Sequence, residues 1–173
     1  VTDFKQLLHL LSTSKVDFIL VGGMAATVHG ATRLTQDLDI VYSRSRANLE
    51  RLAAALAPYQ PYLRGAPPGL PFRWDAATLE RGLNFTLTTS LGDLDLLGEI
   101  TGGGGYEDLV SHSSPIQIFG ETCRCLDLPA LIQAKRAAGR PRDLEALAEL
   151  EALLEERCRI DSTDPYLNVE RPK

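Results

Sequence analysis

The sequence predicts a two-layer α+β fold, a small mixed sheet with flanking helices, and three observations carry that expectation. Phe18-Ile19-Leu20-Val21 is a continuous apolar run stopped by Gly22-Gly23, the pattern of a buried strand ending in a tight turn. Asp37 to Tyr42 alternates, with Leu38, Ile40 and Tyr42 on one face and carboxylates on the other. Both ends of the chain carry apolar residues at helical spacing, Phe4, Leu7, Leu8 and Leu11 at the start and Leu144, Leu147, Leu150 and Leu154 near the end.

The elements follow in order. Residues 3 to 14 form a short amphipathic helix, and a second helix runs from about Met24 to His29, ended by Gly30. Asn48 to Leu56 is a third, with Asn48 as its expected cap. Pro58 to Pro71 holds five prolines and reads as an irregular connection. Arg81 to Thr89 and Gly92 to Leu97 form a hairpin-like strand pair, and Asp93 and Asp95 share a face. The glycine run Gly102 to Gly105 is expected to be a mobile loop, followed by a short helix at Tyr106 to Val110. Ile116 to Phe119 and Thr122 to Leu126 make a further strand pair, and two helices, Pro129 to Ala138 and Arg142 to Arg157, close the fold.

Composition bounds the function. With 173 residues, 44% hydrophobic and 24% charged, the chain has enough apolar material for one core, so residues 1 to 160 are expected to form a single domain and 161 to 173 a C-terminal tail. Without an apolar run of about 18 residues or a signal-like start, the expectation is a cytoplasmic protein with no membrane partner. Residues 143 to 173 carry 9 acidic and 4 basic side chains and so hold the whole net charge of −5; the remainder is balanced. Bulk positive charge therefore does not tether this chain to nucleic acid, and any such site must be a local arginine patch. Cys123, Cys125 and Cys158 are expected to be reduced thiols, since three cysteines make no disulfide framework and the histidines are distant in sequence.

Chemistry concentrates between Val21 and Ile40. A strand, a Gly-Gly turn and a helix start bring backbone N–H groups toward a phosphate, because glycine permits close approach. Asp37-Leu38-Asp39 on a strand points two carboxylates the same way, an arrangement that holds Mg²⁺ or Mn²⁺. A packed strand tolerates two such acids only beside a cation or solvent. His29 reads as a helix-end residue, and Phe72 and Trp74 as anchors of a long loop. Gly102 to Gly105 lacks the Gly-Lys-Ser/Thr of a phosphate-binding loop.

These residues resemble the nucleotidyltransferase superfamily related to DNA polymerase beta, especially its small prokaryotic AbiEii-like, toxin-type members. Gly22-Gly23 and Asp37-x-Asp39 are similar to the first two parts of that signature, and Gly92-Asp93-Leu94-Asp95-Leu96-Leu97 and Lys135 to Asp143 look like its later blocks. The resemblance covers nearly the whole chain. It implies a nucleotidyltransferase-like fold and Mg²⁺-dependent transfer of a nucleoside monophosphate from an NTP such as ATP to a hydroxyl. Asp37, Asp39 and a third carboxylate would hold the metal, Asp95 being favoured over Asp93.

The same resemblance makes Gly22, Gly23, Arg33, Lys135 and Arg140 nucleotide-binding candidates. Beside that stands the plain reading of Lys135 and Arg140 as a solvated helix end, with Arg140 paired to an acid such as Asp143, and of Arg33 as a structural ion pair. The implied acceptor is tRNA or another RNA, with the chain acting as the toxin of a toxin–antitoxin pair and a cognate antitoxin as partner. The alternatives are a catalytically silent nucleotide- or partner-binding module, or transfer to protein or aminoglycoside hydroxyls.

Overall fold

The Asp3 carboxylate accepts the Gln6 amide hydrogen and so starts α1 (Phe4–Thr13), which buries Leu7, Leu8 and Leu11. β1 (Phe18–Leu20) is buried throughout and leads into α2 (Gly22–Val28), which begins at the glycine pair, two residues before the expected start. β2 (Asp37–Tyr42) has the expected bounds. The computed structural model describes residues 1–163.

α3 (Arg46–Leu56) is capped by Ser45, whose hydroxyl accepts from the Asn48 amide, so the expectation that Asn48 caps this helix is corrected. Asn48 lies inside the first turn and is fully buried. Its side chain serves the loops around β1 and β2 instead. The Oδ1 accepts from the Asp17 amide at 2.7 Å, and Nδ2 donates to the carbonyls of Asp17 at 3.0 Å and Ser43 at 2.8 Å.

The proline-rich connection contains a short strand, β3 (Tyr62–Leu63), and α4 (Ala76–Arg81) takes up Arg81, which the sequence assigns to a strand. β4 (Asn84–Thr89) and β5 (Gly92–Leu97) form the expected hairpin. The glycine run is no free loop. Gly104–Gly105 is a strand, β7, paired with β6 (Glu99–Ile100). After α5 (Tyr106–Leu109), β8 (Ser113–Ile118) and β9 (Glu121–Leu126) make a second hairpin.

α6 (Leu128–Ala138) ends at Gly139 in the left-handed region (φ 63°), and Pro141 opens α7 (Pro141–Thr163). Along α7, Leu150 is fully buried and Leu147, Leu153 and Leu154 pack on the core, whereas Leu144 is 53% exposed. The inward stripe thus uses Leu153, which sits against Gly30, rather than Leu144. The expected tail at 161 to 173 begins within α7, and its remainder lies outside the described residues.

The larger sheet has seven strands in the order β3-β4-β5-β2-β1-β9-β8. β2 pairs antiparallel with β1 and parallel with β5, and β1 pairs parallel with β9, so the sheet is mixed as expected. Leu38, Ile40, Tyr42, Leu94 and Leu96, on one face of its middle strands, are fully buried, which makes the register costly to change: a one-residue slip would send this apolar set to the other face. Around the sheet, α1 contacts α3 and α3 contacts α4, while α2 contacts α6 and α6 contacts α7. Cys123 and Cys125 are buried on β9, where burial pushes their thiols up to about 11 and about 12, as befits packing residues. Among the described residues no helix is long and apolar enough to cross a membrane.

Asn48→Ala should lower the unfolding free energy by about 2–3 kcal/mol, because three backbone groups lose their partner in a buried place. Urea denaturation checks this; unchanged stability would mean that these groups find other partners.

Candidate active site

Two parallel strands assemble the acids. β2 and β5 are neighbours with Asp37 opposite Asp93 and Asp39 opposite Asp95, so the period-2 alternation of each strand turns their acidic face to the same side. Carboxylate oxygens of Asp37, Asp39 and Asp95 lie within 4.8 Å of one another. Among the described residues this is the group of His, Cys, Asp or Glu side chains arranged to share an ion. Hard, partly exposed oxygen donors with room for water suit Mg²⁺ or Mn²⁺.

The glycine turn closes over Asp39. Gly22 has φ 62°, and a Cβ built there would stand 2.0 Å from the Asp39 Oδ2; one on Gly23 would stand 2.5 Å from the Thr35 Oγ1. The sequence reasoning attributes the small residues to a phosphate's approach, and within the protein itself they are already required by Asp39 and Thr35. A side chain at Gly23 would displace Thr35, whose hydroxyl donates to the Asp37 carbonyl at 3.1 Å.

The cations divide into two groups. Lys135, at 15% side-chain exposure, has its Nζ 3.8 Å from the Asp143 Oδ1 and also acts on Asp39 through its charge. Arg140 grips the buried Asp143 in a two-pronged contact of 2.6 and 3.2 Å, the pairing the sequence suggests. Arg33 reaches Glu145 of α7 at 2.9 Å. The sequence reading missed Arg64, just after β3, which contacts Asp95 at 2.6 Å, Asp37 at 3.3 Å and Asp93 at 3.4 Å. The signal for a missing cation was present, since four acids on two strands demand one. Nothing local identifies Arg64, which stands alone in a proline-rich stretch.

A cleft of about 670 Å³ joins these pieces. Gly22, Gly23, Arg33, Asp37, Asp39, Asp95, Lys135 and Arg140, all the candidates proposed from sequence, line it, and Asp93 does not. His29 instead ends α2 and bonds the Leu126 carbonyl at 2.7 Å. The Trp74 indole N–H donates to the Ala53 carbonyl at 2.9 Å, and its ring packs beside Phe72, as expected of loop anchors.

Electrostatics separates the acids. Burial, and then the charges of Asp37 and Asp95, push Asp39 up to about 7, against the opposing pull of the Gly23 backbone and Lys135. Burial also raises Asp95, opposed by Arg64. Asp143 goes the other way: burial opposes its ionisation, and the Arg140 hydrogen bond and charge, with Lys135, outweigh it.

Neither a protein-family model nor a curated protein matches the chain. Solved structures do. The lincomycin-bound lincosamide antibiotic adenylyltransferase LnuA superposes with a TM-score of 0.58 at 17% identity, over 88% of this chain and 98% of that one. A protein of Thermotoga maritima assigned as a nucleotidyltransferase gives 0.53 at 15% identity, over 84% and 88%. An antigenic nucleotidyltransferase-like protein of Paracoccidioides brasiliensis gives 0.53 at 13%, over 86% and 73%. The shared feature is the fold: a nucleotidyltransferase-like mixed sheet with flanking helices.

Because Asp39 titrates higher in the folded chain than its ordinary 3.8, its contribution to stability is complete below that value and is lost as pH rises through about 7. In chelator-treated protein, Asp39→Asn should match the wild type near about pH 4 and exceed its stability by up to about 4 kcal/mol at about pH 8. Denaturant titrations at the two pH values test this, and equal stability at the higher one would refute it.

Proposed function

We propose that this chain is a divalent-metal-dependent nucleotidyltransferase that moves a nucleoside monophosphate from an NTP to a hydroxyl and releases pyrophosphate. The observation that carries the reading is the convergence of Asp37, Asp39 and Asp95 at a cleft that also presents Lys135. Acids this close repel one another, and a protein with no use for a cation there gains nothing by crowding them. Asp37, Asp39 and Asp95 would hold Mg²⁺ or Mn²⁺, which when bound supplies charge to offset the phosphates and to acidify the acceptor hydroxyl.

The chain's own residues do the rest. The acceptor oxygen attacks the α-phosphorus, the bond from that phosphorus to the bridging oxygen breaks, and pyrophosphate leaves. Asp95, raised by burial, is suited to take the hydroxyl proton. Lys135 brings positive charge to the triphosphate, and Arg140 orients Asp143, which steadies Lys135 from behind. Gly22 and Gly23 leave room for Asp39 and Thr35 at the edge of the cleft, which keeps Asp39 in place to hold the ion.

Resemblance in sequence supports tRNA or another RNA as acceptor, with a toxin role and a cognate antitoxin. The surroundings of the cleft favour a second acceptor, a compact hydroxyl-bearing small molecule. Arg33, Lys135 and Arg140 each face a carboxylate of α7, Glu145 or Asp143, so a polyanionic backbone would have to compete for them. A cleft of about 670 Å³ has the size of a small-molecule site. The lincomycin-bound adenylyltransferase of similar fold supports the same choice.

Incubation with each α-phosphate-labelled NTP and Mg²⁺, in parallel with total RNA, cell protein, aminoglycosides and lincosamides, should label one acceptor class. Asp39→Asn and Asp95→Asn should each cut labelling by about 100-fold or more. Wild-type labelling by well-folded variants, or in excess chelator, would remove the assignment; NTP binding without transfer to any acceptor would favour the silent module. Lys135→Ala should raise the NTP dissociation constant about tenfold at low salt and by less at high salt, as calorimetry can measure.

A further inference from the structure

Arg64 is held on both sides. Its backbone amide donates to the Thr86 carbonyl at 2.9 Å, extending the β3–β4 pairing by one residue. From that edge the side chain reaches past β4 toward β5 and β2. The Leu87 carbonyl accepts from Nη2 at 3.1 Å and from Nε at 3.4 Å, which fixes the guanidinium over the sheet. In that position Nη2 lies 2.6 Å from the Asp95 Oδ1, Nη1 3.3 Å from the Asp37 Oδ2 and Nε 3.4 Å from the Asp93 Oδ2. A planar fork of N–H donors suits this better than an ammonium, because separate nitrogens face separate carboxylates.

Asp37 and Asp95 are two of the three acids placed to hold the divalent ion, and Arg64 engages both. An ion and a guanidinium cannot use the same carboxylate lone pairs together. We propose that Arg64 is a tethered counter-cation that competes with the divalent ion, holding Asp37, Asp93 and Asp95 in place and yielding Asp37 and Asp95 when the ion is taken up. Asp93 then has a purpose despite lying outside the cleft lining: with the Leu87 carbonyl it retains the displaced guanidinium. Arg64 is a positioning residue, and the site's affinity for a bare ion stays low until a triphosphate contributes further oxygen ligands. This inference rests on the metal-dependent reading proposed above.

The test is binding of Mn²⁺ alone, without nucleotide, followed by the electron paramagnetic resonance of the free ion. Arg64→Gln should bind Mn²⁺ about tenfold more tightly than wild type, and Arg64→Lys, which keeps the charge but loses the fork, should fall between. In the wild-type protein the Arg64 Nε–H resonance, assigned by its loss in Arg64→Lys, should shift with Mg²⁺ and half-saturate together with metal binding. This second measurement stands even if Arg64→Gln fails to fold. Unchanged or weaker Mn²⁺ binding in a folded Arg64→Gln variant, or a resonance that stays still while Mg²⁺ saturates the protein, overturns the competition while leaving the metal site intact. Failure of both wild type and Arg64→Gln to bind Mn²⁺, with or without NTP, overturns the metal-dependent reading and this inference with it.

Discussion

The parallel pairing of β2 with β5 is the constraint from which the site follows. Its register places Asp37 beside Asp93 and Asp39 beside Asp95, so four carboxylates emerge on one side of two adjacent strands. The apolar partners on the opposite face, Leu38, Ile40, Leu94 and Leu96, are fully buried. Hydrophobic burial therefore holds the acids together against their mutual repulsion, and any slip that relieved the repulsion would expose this core. The strain of like charges is carried by the sheet, and the surrounding residues are arranged to relieve it.

Relief comes from different directions for different acids. Arg64 approaches from the β3 edge and serves Asp37, Asp93 and Asp95. Asp39 is not among its partners; it lies against the Gly22-Gly23 turn, and Lys135 acts on it through its charge. Burial first, and then the charges of Asp37 and Asp95, make it the acid pushed furthest up. Such unequal compensation is a physical reason for one position to be most in need of an added cation.

The last two helices connect this chemistry to the rest of the molecule. α7 contributes Asp143 and Glu145, which hold Arg140, Lys135 and Arg33 at the cleft, while Leu150 anchors the same helix in the core. The acidic surplus that the sequence concentrates in residues 143 to 173 thus acts partly as a set of partners for the site's cations. These ion pairs leave Arg33, Lys135 and Arg140 each engaged by a carboxylate of α7.

Features that depend on local geometry are legible in the sequence. Alternation from Asp37 to Tyr42 specifies a strand with its acids on one face, and Gly22-Gly23 specifies a turn where only a small residue fits. Local pattern failed where two readings share one signal. Both Ser45 and Asn48 can cap a helix, and only the burial of Asn48 against Asp17 and Ser43 separates them; Leu144 and Leu153 both continue an apolar stripe, and the position of Gly30 decides between them. The pairing of β2 with β5, and of Arg64 with Asp37 and Asp95, 27 and 31 residues away, comes from the tertiary structure. Strand order and ion pairing join residues far apart in the chain, and their energies depend on distances that no local periodicity encodes.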